Sequence, residues 1–244
     1  MKILTAGLPV AVFAGLMAGS VHAAPLFATV NTPGNSSATD ETAYNGDVST
    51  TDLLAGIAGT GGDWLDNGSS PDGLNDGVAG GDFNVDGLGA LVGKSWSSDG
   101  DGVSFREFVL GGGANGLGYD ITEIQTIASW ANAGFANQKY DVSVRFLGDA
   151  SFTLLLDDVE YQPFTSALND TGGVATRINI TDDTGKLASG VEAIRFDILD
   201  TTSDNLGGTV FSEIDVFGTS TVPEPGSLAL LGLAGVLIAR GRRG

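Results

Sequence analysis

The residues best suited to chemistry are acids concentrated between residues 61 and 102. This stretch holds eight aspartates and 12 glycines, with Lys94 as its single basic residue. Aspartate and asparagine side chains, together with main-chain carbonyls on glycine turns, are hard oxygen ligands that suit Ca²⁺. The composition therefore predicts at least one calcium site in the chain. The alternative is a set of solvated loops that use Asp and Gly only for turning.

One short motif carries the calcium prediction further. Residues 82–87 match the first half of an EF-hand loop, with Asp82, Asn84 and Asp86 at ligand positions. The twelfth position of such a loop should be glutamate but is Gly93, and no flanking helices are evident. The sequence therefore argues against a complete EF-hand and leaves open a calcium turn that a distant carboxylate completes.

Two tryptophans, Trp64 and Trp96, lie in the same Gly- and Asp-rich loops. An aromatic face can pack against the C–H groups of a pyranose, and binding residues concentrate on loops. These residues are therefore the candidates for stacking on a sugar ring, with a packing role as the alternative. Trp130 follows a series of isoleucines, and we expect it to pack in the core or at its edge.

Several kinds of catalysis are excluded by composition. The chain has no cysteine, and its single histidine, His22, lies in a removable segment described below. A Ser-His-Asp triad, a Cys-His pair or a histidine metal site is therefore impossible in the mature chain. Paired acids could hydrolyse glycosides, but no pair stands out among so many carboxylates. We expect no catalytic residues and a non-enzymatic role.

The charge of the chain restricts its partners. The chain carries 30 acids and 11 bases, a net charge of −19, and residues 24–221 alone carry −22. Non-specific nucleic-acid binding requires a positive surface, so we expect no nucleic-acid partner.

The N-terminus has the pattern of a secretory signal peptide. Lys2 precedes a mostly apolar run, and Val21, His22 and Ala23 form a cleavage site of the A-x-A type. We therefore expect residues 1–23 to form a signal helix that is removed on export.

The C-terminus carries a second recognisable signal, in residues 222–244. Its features are a Pro-Glu-Pro motif, an apolar run from Leu228 to Ala239 that predicts a short helix, and a terminal arginine cluster; the residues are Pro223, Glu224, Pro225, Arg240, Arg242 and Arg243. This tail resembles the PEP-CTERM sorting signal of Gram-negative bacteria. The resemblance implies recognition by exosortase, a membrane protease-transpeptidase. It also implies transient inner-membrane anchoring and a final location at the cell surface or in the extracellular matrix.

The middle of the chain, residues 24–221, reads as one β-rich domain. Apolar and β-branched runs are separated by Gly, Asn and Asp clusters, as in residues 139–146, where Tyr140, Val142, Val144 and Phe146 share a face. Residues 24–59 suggest an irregular lead-in or an edge strand. We predict an all-β fold, an antiparallel β-sandwich or jelly roll, with helices only in the two terminal signals.

Four of these stretches resemble galactose-binding-like jelly rolls of the discoidin type, and they set the core at about residues 74–218. They are residues 118–130, 138–144, 191–196 and 211–218, joined by an early Leu-x-Asp-Gly turn at residues 74–77. The resemblance implies that Glu213 helps to hold a structural calcium with loop carbonyls near Asp76 and Gly77. The alternative places Glu213 outward as an ordinary polar residue.

These observations predict an exported, non-catalytic surface or matrix protein that binds polysaccharide through its jelly roll. Two alternatives remain open at this point. The chain could be a purely structural or adhesive matrix protein without a small ligand, or a glycan-active enzyme.

Overall fold

The computed structural model describes residues 25–31, 44, 47–61, 64–65, 71–79, 90–93, 104–132, 136–164, 171–201 and 208–223. Ten antiparallel strands account for most of them, together with a short 3-10 helix at Pro71–Asn75. The strands are β1 Pro25–Asn31, β2 Trp64–Leu65, β3 Ala90–Gly93, β4 Ser104–Val109, β5 Tyr119–Asn132, β6 Gln138–Phe146, β7 Thr153–Tyr161, β8 Thr171–Asp182, β9 Ala188–Ile198 and β10 Gly208–Ser220. The predicted all-β fold is confirmed, whereas both predicted terminal helices lie outside the described residues.

The strands form two layers of one continuous sheet. In the first layer β10 pairs with β5 and β3, while β5 also pairs with β8, which in turn pairs with β1. In the second layer β9 pairs with β4 and β6, and β6 pairs with β7. The start of β5 pairs with β9 and joins the layers at one corner. This arrangement is a β-sandwich in which β1 is an edge strand of the first layer.

Aromatic side chains fill the space between the layers. The ring of Tyr140 on β6 lies 5.8 Å from Phe211 on β10 and 6.1 Å from Phe196 on β9, measured between centroids. Tyr140, Val142 and Val144 are fully buried, as their alternation with polar residues predicts. The rings in contact at these distances stabilise the sandwich beyond simple area burial.

The unusual isoleucine spacing of β5 has a structural explanation. Ile121 and Ile124 both belong to the main core, although three residues separate them. The register with β10 skips Thr122, so a bulge restores both side chains to the same face. Ile127 lies on the opposite face, in a second apolar cluster with Tyr44. The spacing therefore combines a bulge with a change of face.

The second cluster exists because loops cover the outer face of the first layer. The N–H of Leu53 donates to Val216 O at 2.7 Å, and Gln125 Nε2 donates to Asp47 O at 3.0 Å. Residues 209–216 of β10 are consequently buried on both faces. Among the residues described, no helix is long and apolar enough to span a bilayer.

Candidate functional site

The site begins with an irregularity in β10. The pairing of β10 with β5 shifts between Phe211 and Glu213, which marks a bulge at this point. In a regular strand these two residues would share a face, but the bulge turns Phe211 into the core and Glu213 towards the covering loops. Asp215 follows on the same face as Glu213. Both carboxylates are fully buried, with 0% exposure.

A third carboxylate, Asp52, reaches this position from the covering loop. Its Oδ1 accepts hydrogen bonds from the N–H of Leu54 at 2.7 Å and from the N–H of Val216 at 3.3 Å. The first of these bonds closes a local turn of the type that Asp favours, and the second attaches that turn to β10. Loop and strand are therefore joined through one buried side chain.

Each of the three carboxylates keeps one oxygen without a donor. Asp52 Oδ2, Glu213 Oε2 and Asp215 Oδ1 are buried and accept no N–H donor, and the Glu213 and Asp215 carboxyls lie within hydrogen-bonding reach of each other. Burial raises the pKa of Glu213 to about 9. Burial, followed by the nearby Asp52 carboxylate, raises the pKa of Asp215 to about 7. Burial also raises the pKa of Asp52, although the hydrogen bonds from the N–H groups of Leu54 and Val216 act in the opposite direction. Without a cation the three groups therefore resist full ionisation.

Their other oxygens are held by main-chain and amide donors. Gly77 N–H donates to Glu213 Oε1 at 3.0 Å, and Ser49 N–H donates to Asp215 Oδ2 at 3.2 Å. Gln125 Nε2 donates to the same Asp215 oxygen at 2.9 Å. These donors fix the orientation of both carboxylates while the remaining oxygens stay free.

The early loop approaches the carboxylates closely because Gly77 permits it. Gly77 has φ +83°, and an added Cβ would collide with the Thr50 side chain. The same hypothetical Cβ would lie 3.3 Å from Ser49 O, so a main-chain carbonyl lies beside the loop. Asp76 is exposed next to Gly77, and its Oδ1 accepts from Val78 N–H at 3.0 Å.

A cavity of about 400 Å³ opens beside this loop. Asn75 and Asp76 line one part of it, and residues 55–58 with Thr50 line the rest. Asn75 anchors the two walls to each other, because its Nδ2 donates to Leu54 O and, at 3.0 Å, to Ile57 O. The cavity volume falls within the range of small-molecule pockets.

The donor set fits a hard dication. Free carboxylate oxygens that are buried without donors are the groups that Ca²⁺ satisfies, and Ser49 O is a further hard oxygen nearby. In the described part of the chain no three acidic side chains converge tightly enough to hold a metal by themselves. A cation here would therefore combine carboxylates with main-chain carbonyls.

The structure brings together only part of the predicted calcium set. Asp76 and Glu213 meet across the Gly77 loop, while Asp82, Asn84 and Asp86 lie outside the described residues. The sequence reasoning missed Asp52 as a partner of this cluster. It also assigned no role to Asp215, although the Glu-x-Asp spacing on a strand, which puts both side chains on one face, was the available signal.

Of the predicted sugar-stacking residues, only the backbone of Trp64 belongs to the described part of the structure. Trp64 is the first residue of β2 and pairs with Val92, so its backbone position is defined. Its side chain and the whole of Trp96 lie outside the described part of the structure. Trp130 lies on β5 opposite Val174, and its side chain is likewise not described.

The family comparison identifies the C-terminal signal. Residues 221–243 match the PEP-CTERM protein-sorting motif. The match contains Pro223, Glu224, Pro225 and the three arginines of the tail, so the predicted sorting motif is confirmed. Such a signal indicates an exported protein with a C-terminal anchor. Curated proteins gave no significant match to the chain.

The solved structures similar to this chain are galactose-binding-like modules of the discoidin type, the class that the sequence resembles. An F5/8 type C domain from Bacteroides fragilis is 13% identical, over 69% of this chain and 95% of that chain, with a TM-score of 0.40. The family 32 carbohydrate-binding module of C. perfringens NanJ is 14% identical, over 66% and 92%, with a TM-score of 0.42. A fucose-binding module from Streptococcus pneumoniae is 15% identical, over 68% and 94%, with a TM-score of 0.37. No site residue is carried over from these structures.

Proposed function

We propose that this protein is an exported, non-catalytic binding module for polysaccharide, whose loop layer is held by calcium. The observation that carries the proposal is the buried cluster of Asp52, Glu213 and Asp215 directly beneath the loop that lines the cavity. Burying three carboxylates with unpaired oxygens lowers the stability of the fold unless a cation compensates their charge. The cluster therefore serves to fix the loops rather than to react.

Calcium would be held by Glu213 and Asp215 together with main-chain carbonyls, and the nearby Asp52 and Asp76 would add negative charge around the ion. The ion would supply positive charge and rigidity to the loop layer. Gly77 and Ser49 already orient Glu213 and Asp215 through their N–H groups. The loops would then present Asn75, Asp76 and Thr50 to a ligand in a fixed arrangement.

Polysaccharide is the proposed ligand because the cavity combines polar side chains with an apolar wall. Asp76 and Thr50 offer hydrogen-bonding groups, and Ala55, Ile57 and Ala58 offer carbon surface. A sugar ring presents hydroxyls at its edge and C–H groups on its faces, so both kinds of lining suit it. Trp64 and Trp96 remain the proposed stacking residues.

Retention on immobilised polysaccharides, with and without calcium, tests the binding proposal. We expect retention to fall when EDTA removes calcium and to return when calcium is restored. Trp64→Ala and Trp96→Ala should each weaken retention by ~1–3 kcal/mol, by analogy with stacking on nucleic-acid bases. Unchanged retention in both tryptophan variants would favour a structural or adhesive matrix role, and bond cleavage in the polysaccharide would indicate an enzyme.

Export and sorting are tested separately by intact mass. Protein isolated from its native host should lack residues 1–23 and most of the chain after Pro225, because both signals are removed in processing. The control is the same protein from a host strain that lacks the sorting protease, in which the tail should remain attached. Finding the three arginines of the tail on the mature protein would contradict the sorting proposal.

A further inference from the structure

The glycine-rich loop of residues 111–118 holds the end of the folded domain. The N–H of Thr221 donates to Gly118 O at 2.9 Å, and Asn115 Nδ2 donates to Thr221 O at 3.1 Å. A third bond runs from Ala114 N–H to the hydroxyl of the preceding residue in β10, at 3.0 Å. We call this loop together with Thr221 the exit clamp, because the chain passes from it directly into the sorting motif.

The side chain of Thr221 is fixed from a second direction. Gly190 N–H donates to Thr221 Oγ1 at 3.2 Å, and this hydroxyl donates to Asp120 Oδ1 at 2.7 Å. Asp120 in turn pairs with Lys186 Nζ at 2.6 Å. Thr221 is therefore held from two directions, and the length of chain that leads to the tail is counted from it.

Close packing explains why the exit clamp is rich in glycine. A Cβ added to Gly113 (φ +66°) would lie 2.6 Å from Gly118 O. A Cβ added to Gly118 (φ +79°) would lie 2.6 Å from the carbonyl carbon of Gly190. The loop thus binds a segment of its own chain.

Exposed apolar side chains surround the point where the tail leaves. Leu117, Leu147 and Val222 are 36%, 41% and 63% exposed. Gly190 connects them: Leu147 N–H donates to Gly190 O at 2.8 Å, and a Cβ on Gly190 would lie 3.5 Å from Leu117 O. Val222 follows Thr221 directly. We call Leu117, Leu147 and Val222 the exit patch.

The tether between the exit clamp and the membrane anchor is short. Six residues, 222–227, separate Thr221 from the apolar run that begins at Leu228. Seven fully extended Cα–Cα steps span at most about 25 Å. A domain of roughly 200 residues measures about 40 Å across, and half its circumference is about 65 Å. The tether is therefore too short for any other end of the domain to reach the bilayer.

We propose that the exit patch is the membrane-facing surface of the anchored precursor, with Leu117 and Leu147 in contact with the lipid interface. The inference depends on the proposed anchoring of the tail in the membrane. The domain carries a large negative charge, and exposed Asp149 lies in the turn that follows Leu147. Zwitterionic lipid is therefore the matching surface, because anionic lipid would repel the domain.

The absence of cysteine makes the test direct. Leu117→Cys and Leu147→Cys are introduced singly into the full chain and labelled with an environment-sensitive fluorophore. The matched control is Val78→Cys, an apolar position 53% exposed that lies beside the Gly77 loop instead of the exit clamp. Each labelled protein is reconstituted in phosphatidylcholine vesicles that contain a nitroxide-headgroup lipid. Fluorescence is recorded only on vesicles recovered by flotation.

We expect several-fold stronger quenching at positions 117 and 147 than at position 78. Equal quenching at all three positions, or none at 117 and 147 in floated vesicles, would overturn the membrane-facing surface while leaving the anchor in place. A blue-shifted emission without nitroxide quenching would indicate burial against protein and would also overturn it. Failure of the unlabelled full chain to float would instead refute the anchoring on which the inference depends.

Discussion

Replacing Glu213 by glutamine should remove the response to calcium without unfolding the protein. Gln keeps the shape of the side chain and can still accept the N–H of Gly77, the donor that Glu213 Oε1 has at 3.0 Å. What it removes is the ability to carry negative charge towards a cation. Glu213→Gln therefore separates the packing role of this residue from its proposed ligand role.

The metal-free protein sets the baseline for this prediction. Because burial raises the pKa of Glu213 to about 9, the carboxyl of the metal-free folded protein is neutral at pH 7. The unfolded chain releases that proton near its ordinary pKa of about 4.3, so burying this acid costs stability at pH 7. Glutamine carries no such penalty. In EDTA we expect Glu213→Gln to melt at the temperature of the unmodified protein or slightly above it.

Calcium should reverse this order. Extracellular sites of this kind bind with Kd of about 10⁻⁴ to 10⁻³ M. At about 10 mM Ca²⁺ a single site then adds about 1.4–2.7 kcal/mol to the free energy of unfolding. For a domain of this size that corresponds to a rise in Tm of roughly 3–11 °C. Glu213→Gln should show little of this rise in scanning calorimetry.

Asp157→Asn provides the control, because it makes the same replacement of a carboxyl by an amide at an exposed position on β7. It should keep the full calcium response, and Mg²⁺ should reproduce little of it in either protein. Equal calcium responses in Glu213→Gln and the unmodified protein would refute the ligand role of Glu213. Equal effects of Ca²⁺ and Mg²⁺ would show that the ions only screen a solvated acidic surface.

Two further predictions concern the loop layer and the exit end of the domain. Gly77→Ala should destabilise the domain by about 1–3 kcal/mol through its positive φ alone, and the collision with Thr50 should add to this loss. The matched control in urea unfolding is Gly56→Ala, because Gly56 has φ +73° but open space around it. Burial alone would raise the pKa of Asp120, but hydrogen bonds from Lys186 and two hydroxyls lower it. Its stabilisation is therefore present above the unfolded pKa near 3.9 and lost as pH falls through the lower folded value. Asp120→Asn should accordingly be destabilised at pH 7, and the difference should shrink as acidification protonates Asp120 in the folded unmodified protein. A difference that stays constant during acidification would contradict the ionic contribution.

The strands could be predicted from sequence because each carries its own local signal. Residues 139–146 alternate strictly, and β6 indeed buries Tyr140, Val142 and Val144 on one face. The ends of the strands were harder to predict from the sequence. β5 and β8 extend beyond their apolar runs because neighbouring strands continue to pair with them. The isoleucine spacing of β5 could not be assigned to a strand face from sequence. The bulge at Thr122 changes the face, and threonine at that position does not distinguish a bulge from a regular strand.

Only part of the candidate site could be predicted from the sequence, and the reason differs from that for the strands. Glu213 and Asp76 were named through a family resemblance, and the structure places them on either side of Gly77. Asp52 lies far from both in the chain, and its turn reads like any other Asp-containing loop. Its role arises only when Leu53 and Val216 pair across the outer edge of β10. Long-range contacts of this kind leave no periodic trace in one sequence.

The two functional ends of the molecule are related through β10. Glu213 and Thr221 are eight residues apart, and at about 3.3 Å per strand residue they are separated by about 26 Å. The middle of this strand carries the carboxylates Glu213 and Asp215, and its C-terminal end passes through the exit clamp into the sorting tail. A short tether at Thr221 would therefore hold the cavity away from the bilayer and towards the extracellular side. The same strand that positions the proposed calcium ligands would thus also set the orientation of the anchored precursor relative to the bilayer.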